Sequence, residues 1–216
     1  MGEMKEKPSA VLIGDMVGSR LSADRTGLHD RLVATLAEVN ATFAPVADLT
    51  VFAGDEYQGT FADVGTALAA SLHLRLALLP HVDVRQGIAW GPVAVLAESP
   101  RVEDGPGWWS ARAAIVEVED DATRSVTRSA RTRYALAPDV TGPETGAINA
   151  ALLARDHLVG RLDERSLSVL RGLLSGQTQQ QLARAEGISA SAVSQRVRND
   201  GLGVVMAMEE QLRGIR

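Results

Sequence analysis

Leu49-Thr50-Val51-Phe52-Ala53-Gly54-Asp55-Glu56-Tyr57-Gln58-Gly59-Thr60-Phe61 is the stretch on which the reading of the fold turns. Two short apolar runs flank a tight Gly-Asp-Glu, which predicts a β-hairpin with two carboxylates at its tip. Ala10-Val11-Leu12-Ile13-Gly14-Asp15 is a second apolar run that ends in Gly-Asp. Two strands that each end in a carboxylate raise the question of whether the carboxylates meet.

Outward from the hairpin, Ser9 to Asp15 reads as a buried strand and Gly18 to Asp24 as a loop. Leu28, Leu32, Val33, Leu36 and Val39 recur at helical spacing, which predicts an amphipathic helix over about 24–40, broken by Pro45. Val64, Leu68, Leu72, Leu76 and Leu79 predict a second helix over 63–79, closed by Pro80. Val82 to Trp90 alternates as a strand, Gly91-Pro92 reads as a turn, and Val93 to Leu96 as a further strand. Asp104 to Gly107 is a loop that feeds a helix over 108–118, and Arg124–Val126 and Arg133–Leu136 read as short strands.

Strand, helix, strand, strand, helix, strand is the order of a ferredoxin-like α+β domain. In its usual sheet order, 4-1-3-2, strands 1 and 2 run the same way. The end of strand 1 and the turn between strands 2 and 3 then share one edge, which brings Asp15 to Asp55. Two convergent Asp with Glu56 nearby suit Mg²⁺ or Mn²⁺, because hard cations take oxygen ligands and often only one or two protein carboxylates. The plainer alternative is that they are turn residues, each capping local backbone N–H groups.

Composition bounds the rest. The chain has 216 residues, 45% apolar and 23% charged, with no cysteine, which excludes disulfides, thiolate-ligated zinc and thiol catalysis. Met1 to Pro8 is charged and lacks the apolar core of a signal peptide. Ala67 to Leu79 is too short, and too interrupted by His73 and Arg75, to span a bilayer. A cytoplasmic protein with no membrane partner is expected. From Arg155 to Arg216 nine Arg face seven acidic residues, while the remainder carries 13 basic against 20 acidic residues; these balances of +2 and −7 make up the net −5. An acidic body with a mildly basic tail predicts two domains, over 1–143 and 144–216. His29, His73, His81 and His157 show no ligand spacing and read as surface or packing residues.

Four segments together resemble the catalytic domain of class III nucleotide cyclases and, more distantly, diguanylate cyclases. They are Val11 to Ser19, Phe52 to Tyr57, Val84 to Gly91 and Gly107 to Ala114. The resemblance implies that Asp15 and Asp55 bind two metal ions for in-line phosphoryl transfer. It also implies that Gly14 and Gly54 border the phosphates or nucleotide, and that Arg112 stabilises phosphate charge. Two positions depart from the cyclase pattern. Val51 stands where cyclases place a purine-selecting Lys, and Trp108 where they place an Asn. A Val cannot select a base by hydrogen bonding.

The C-terminal part contains Gln181-Leu182-Ala183-Arg184-Ala185-Glu186-Gly187-Ile188-Ser189-Ala190-Ser191-Ala192-Val193, which resembles the helix-turn-helix of regulators and sigma-factor modules. Connecting helices are expected over 147–158 and 163–174, and a last helix follows with Leu202, Val204, Val205, Met208 and Leu212. Ser191, Ser194, Gln195, Arg196 and Arg198 would face DNA from the recognition helix. A protein-binding three-helix bundle is the other reading. Across most of its length the chain is similar to the SatD family, whose members pair a Gly-Asp, a Gly-Asp-Glu hairpin and an Asp-Gly-Pro helix start with a C-terminal helix-turn-helix. The leading expectation is a DNA-binding, homodimeric transcriptional regulator whose degenerate cyclase-like domain senses a nucleotide or metal or dimerises. The alternatives are a Mg-dependent nucleotidyl- or phosphoryl-transfer enzyme of the cyclase superfamily and an interaction scaffold.

Overall fold

The computed structural model describes residues 7–99 and 101–216; the charged segment 1–6 of the signal-peptide argument lies outside them. The described residues form six strands and eight α-helices. In chain order these are β1 (Lys7–Met16), α1 (Arg25–Phe43), β2 (Ala47–Ala53), β3 (Glu56–Phe61), α2 (Val64–Leu78), β4 (Val84–Glu98), β5 (Arg101–Asp104), α3 (Pro106–Thr123) and β6 (Thr132–Leu136). Then follow α4 (Thr145–Val159), α5 (Glu164–Leu174), α6 (Gln179–Ala185), α7 (Ala190–Asn199) and α8 (Leu202–Arg213).

The sheet runs β2-β3-β1-β4, with β6 parallel to the first half of β4 and β5 antiparallel to its second half. β1 pairs antiparallel with both β3 and β4. This is the ferredoxin-like order expected from the sequence, and it sends β1 and the β2–β3 turn to the same edge. β1 is apolar on both faces because both are covered. Ala10, Leu12 and Met16 join the core under α1 and α2, while Val11 and Ile13 pack with Trp108, Ala111 and Ile115 of α3.

Several local expectations are corrected. Gly91-Pro92 does not turn the chain, because β4 runs through it with Pro92 opposite Pro8. Gly91 is there for clearance, since a Cβ would lie 2.5 Å from that of Ala137 and 2.9 Å from the Cα of Gly107. Residues 124–126 lie in a turn rather than a strand. In α1 the exposed Val33 drops out of the packed face and Thr35 joins it.

The C-terminal helices do not pack by themselves alone. α6 and α7 are joined by a turn with Gly187 at φ 64°, and Thr178 and Ser189 cap them. Their core is shared, however: Leu182, Val193, Leu202 and Val205 close on Leu72 and Leu76 of α2. Leu212 of α8 enters the main core beside Ile148 and Leu152 of α4. α2 is therefore apolar all round because it is covered all round.

A buried ionic network fastens these layers. Arg75 of α2 donates to Asp83 at 2.7 and 3.1 Å and to Asp156 of α4 at 2.9 Å. Asp156 also accepts the backbone N–H groups of Arg131 and Thr132, each at 2.7 Å. Arg155 reaches the Leu68 carbonyl, Ser71 and Thr132, with Glu209 of α8 at 3.8 Å. Arg75, Arg155 and Asp156 are all at most 2% exposed, so each depends on these partners in place of water.

Candidate functional site

β1 delivers Asp15 on the α3 side of the sheet, opposite Arg85 of β4 in the antiparallel register. Arg85 grips both carboxylate oxygens, Nε at 2.9 Å and Nη2 at 3.0 Å, and its Nη1 donates to Glu119 of α3 at 2.6 Å. Burial pushes the Asp15 carboxyl above the usual aspartate range against the pull of Arg85, and the Asp55 and Glu119 charges add to the rise. Asp15 and Asp55 are therefore electrostatic neighbours, although forty positions separate them.

Asp55 sits in the hairpin turn beside Gly54, which has φ 63° and spares the turn a strained side chain. Its Oδ2 accepts the hydroxyl of Ser19 at 2.5 Å. Ser19 is buried in the short 3₁₀ turn after β1, behind Gly18 at φ 72°. Glu56, one residue on, is held apart: both its oxygens are taken by Arg112 of α3.

Gly14 owes its identity to packing. A Cβ there would lie 2.3 Å from the ring and hydroxyl of the buried Tyr57. The Tyr57 hydroxyl accepts from Gln86 at 3.1 Å, and burial raises the phenol far above its ordinary range. Val51 packs against the main core, and Trp108 is buried under the sheet with its indole N–H unpartnered among the described residues. Neither offers a polar group at the site.

A cleft of about 290 Å³ opens beside Asp55. Ser19, Gly54 and Asp55 form one wall; Arg25, Thr26 and His29, from the first turns of α1, form another. Asp24 caps α1 by accepting the Gly27 N–H at 2.8 Å. Acidic and basic groups thus face each other across a wet opening, a setting for a phosphate-bearing ligand.

No three His, Asp or Glu side chains gather into a metal-holding group among the described residues. Both Glu56 oxygens are engaged by Arg112 and both Asp15 oxygens by Arg85, so each would have to release a guanidinium to ligate an ion. Asp15 and Asp55 would fit a Mg²⁺-type ion only on that exchange, with phosphate oxygens and water as the remaining ligands.

On α7, Ser191, Gln195 and Arg198 are exposed and Ser194 is half-buried. Arg196 is turned inward. Its Nη1 donates to both oxygens of Asp163 at 2.9 Å and to Ser166 at 2.5 Å, with Asp200 at 3.4 Å. The Ser166 N–H and then Arg196 hold the Asp163 carboxyl down at about 2.

Sequence reading missed Ser19, Arg85, Glu119, Arg25 and His29 as members of this region. Arg85 was recoverable: Val84, Gln86 and Ile88 alternate on β4, which sends Arg85 to the opposite face. The pairing with Asp15 then follows from the register.

The SatD family model matches residues 10–213, and the chain belongs to the SatD family. No curated protein matches. Among solved structures, a bacterial light-regulated adenylyl cyclase is 14% identical with a TM-score of 0.43 over 55% of this chain and 42% of its own, so this chain spans less than half of it. The guanylyl cyclase Cya2 is 14% identical with a TM-score of 0.44, over 52% of this chain and 71% of its own. The adenylyl cyclase CyaB from P. aeruginosa is 15% identical with a TM-score of 0.42, over 50% and 71%. No helix among the described residues is long and apolar enough to cross a membrane.

Proposed function

We propose that this SatD-family chain binds the phosphate chain of a nucleotide in the cleft between α1 and the hairpin, as a phosphoryl- or nucleotidyl-transfer protein of the cyclase superfamily. The observation that carries the reading is the cleft that Asp55 lines together with Arg25 and His29; Asp15, at the end of β1, is near enough for the Asp55 charge to act on its carboxyl. Arg25 and His29 would bind phosphate oxygens. Ser19 orients Asp55, and Arg85 orients Asp15. A divalent cation held by Asp15 and Asp55 would supply charge neutralisation of the phosphates and polarisation of a P–O bond. Arg112 of α3 is held by Glu56, the residue after Asp55 in the hairpin, and is the reserve of positive charge on the α3 side.

Val51 faces the core and leaves no hydrogen-bonding group for a base, so the site would read phosphate more than base. Thermal unfolding with Mg²⁺ or Mn²⁺ plus ATP, GTP or inorganic triphosphate tests this. The expected result is a raised midpoint for all three, with little difference between ATP and GTP, lost in Asp15→Asn and Asp55→Asn. A ligand at one hundred times its Kd adds about 2.7 kcal/mol to stability. No shift in the wild type, or the same shift in both variants, removes the proposal.

DNA recognition by α7 is the second reading, favoured by the exposure of Ser191, Gln195 and Arg198 behind the Gly187 turn. Binding to a duplex should weaken with salt and with Arg198→Ala, and change little on that surface with Arg196→Gln. Binding indifferent to salt and to Arg198 points to a protein partner instead.

A further inference from the structure

We infer that Asn40 and Asn149 seal the two ends of the sheet against a further strand, and so keep copies of this chain from pairing edge to edge. An edge strand turns the N–H and C=O of every second residue away from its sheet, which makes it a template for strand addition. Among the described residues three strands end this sheet: β2 on one side, β6 beside the first half of β4 on the other, and β5 beside its second half. β5 has four residues, and Arg101, Glu103 and Asp104 are three of them. An edge that short and that charged discourages an incoming strand. β2 and β6 are longer and carry one charged residue each, Asp48 and Arg133.

These two strands are closed instead by an asparagine from the helix next to each in the chain. The Leu49 N–H donates to Asn40 Oδ1 at 2.8 Å, and Asn40 Nδ2 donates to the Leu49 carbonyl at 3.0 Å. At the far edge the Tyr134 N–H donates to Asn149 Oδ1 at 2.8 Å, and Asn149 Nδ2 donates to the Tyr134 carbonyl at 2.9 Å. An amide side chain has the donor and the acceptor of a peptide group. Each Asn therefore stands where the peptide of an added strand would stand, and occupies both groups that such a strand needs. Asp156, about two turns beyond Asn149 on α4, takes the Thr132 N–H at 2.7 Å, so the seal of β6 extends over a second outward residue. A single hydrogen bond would be enough to tie a helix to its strand. The same matched pair at opposite ends of the sheet, from two different helices, points to closure of the edges. Neither Asn lines the cleft beside Asp55, so the inference is independent of the phosphate reading.

Hydrogen exchange and sedimentation velocity on the full chain test this. In the wild type the Leu49 and Tyr134 amides should exchange as slowly as that of Leu12 in the central strand β1. Fast exchange at the two edge amides overturns the inference without any variant. Asn40→Leu and Asn149→Leu keep a branched side chain and remove both hydrogen-bonding groups. Each should speed exchange at its own edge residue by about tenfold, and each should form species larger than the wild type's that grow with protein concentration. Thr50 of β2 is exposed, so Thr50→Lys on the Asn40→Leu background puts a charge on the opened edge and should return the sedimentation profile to that of the wild type. Faster exchange with no new species makes the two Asn ties only, and overturns the inference. Association that Thr50→Lys leaves unchanged also overturns it, because such association comes from exposed core. Thermal midpoints show whether each variant is folded; where Leu costs the fold, Asn40→Ala and Asn149→Ala carry the same expectations.

Discussion

Two of the Arg and Asp clusters among the described residues are built from the same chemistry and differ in their access to water. The interior cluster centres on Arg75, Arg155 and Asp156, each at most 2% exposed, and it is closed there. Asp156 is 0% exposed, and its oxygens are taken by a guanidinium and two backbone N–H groups. The cluster at the sheet edge is open. Asp15 keeps a quarter of its side chain in solvent, and Asp55 faces a cleft. The comparison teaches that pairing alone does not mark a functional site. A closed network fastens layers; an open one retains capacity for a further ion or phosphate.

The first way to break this contrast is Asp156→Ala. It takes the Nη1 partner from Arg75, which keeps its fork on Asp83, and leaves the Arg131 and Thr132 N–H groups without their acceptor; breaking a buried pair by removing one partner costs about 3–5 kcal/mol. Chemical denaturation should show that loss, while Asp55→Asn should stay within about 1 kcal/mol of the wild type in the absence of ligand. A cheap Asp156→Ala would mean that water enters the network and that the interior is not closed.

Gly14→Ala probes the boundary between the two clusters. The added methyl meets the Tyr57 ring, so an overpacking cost of about 1–3 kcal/mol is expected, together with disturbance of the Tyr57–Gln86 bond. Tyr57→Phe in the same background keeps the ring and should not relieve it. Near-full relief by Tyr57→Phe would place the strain in the hydroxyl and not the ring.

The smallest effect belongs to the exposed pair Asp163 and Arg196. The Asp163 carboxyl is held down at about 2, below the ordinary aspartate range, so its folded pKa lies below its unfolded one. Its stabilisation is then fully present above about pH 4 and is lost as pH falls toward 2. The carboxylate is largely solvent-exposed, so screening limits the contribution to about 0.5 kcal/mol. Arg196→Gln should therefore lower stability at neutral pH by no more than that amount, flatten the profile as pH falls toward 2, and leave the two proteins alike at the acid end.

The hairpin and the run into Asp15 were legible because strand periodicity and a Gly-Asp turn are local signals, and topology then brought their ends together. Arg85 was less so, since an arginine in an apolar strand declares its face but not its partner. The interior network was illegible. Arg75 and Asp156 are single charged letters in apolar segments, 81 positions apart, and nothing local distinguishes them from a solvated face. The packing of the C-terminal helices on α2 was illegible for a related reason. The apolar residues of α2 read as one stripe facing one core, whereas Leu72 and Leu76 form a second face for the C-terminal helices.

That second face bears on how the chain comes off the ribosome. The N–H of Gly65, in the first turn of α2, donates to the carbonyl of Ile215 at 3.1 Å, and a Cβ at Gly65 would collide with the Arg213 and Ile215 carbonyls. These partners of α2 are therefore synthesised long after it. While the sheet is being made, α2 presents Leu72 and Leu76 uncovered, and they are covered in turn as α5 to α8 emerge. Long-range contacts of this kind slow folding and leave apolar surface open to misassociation. A nascent chain arrested before Glu164 should accordingly engage chaperones through α2, and release of the C-terminal helices should end that engagement.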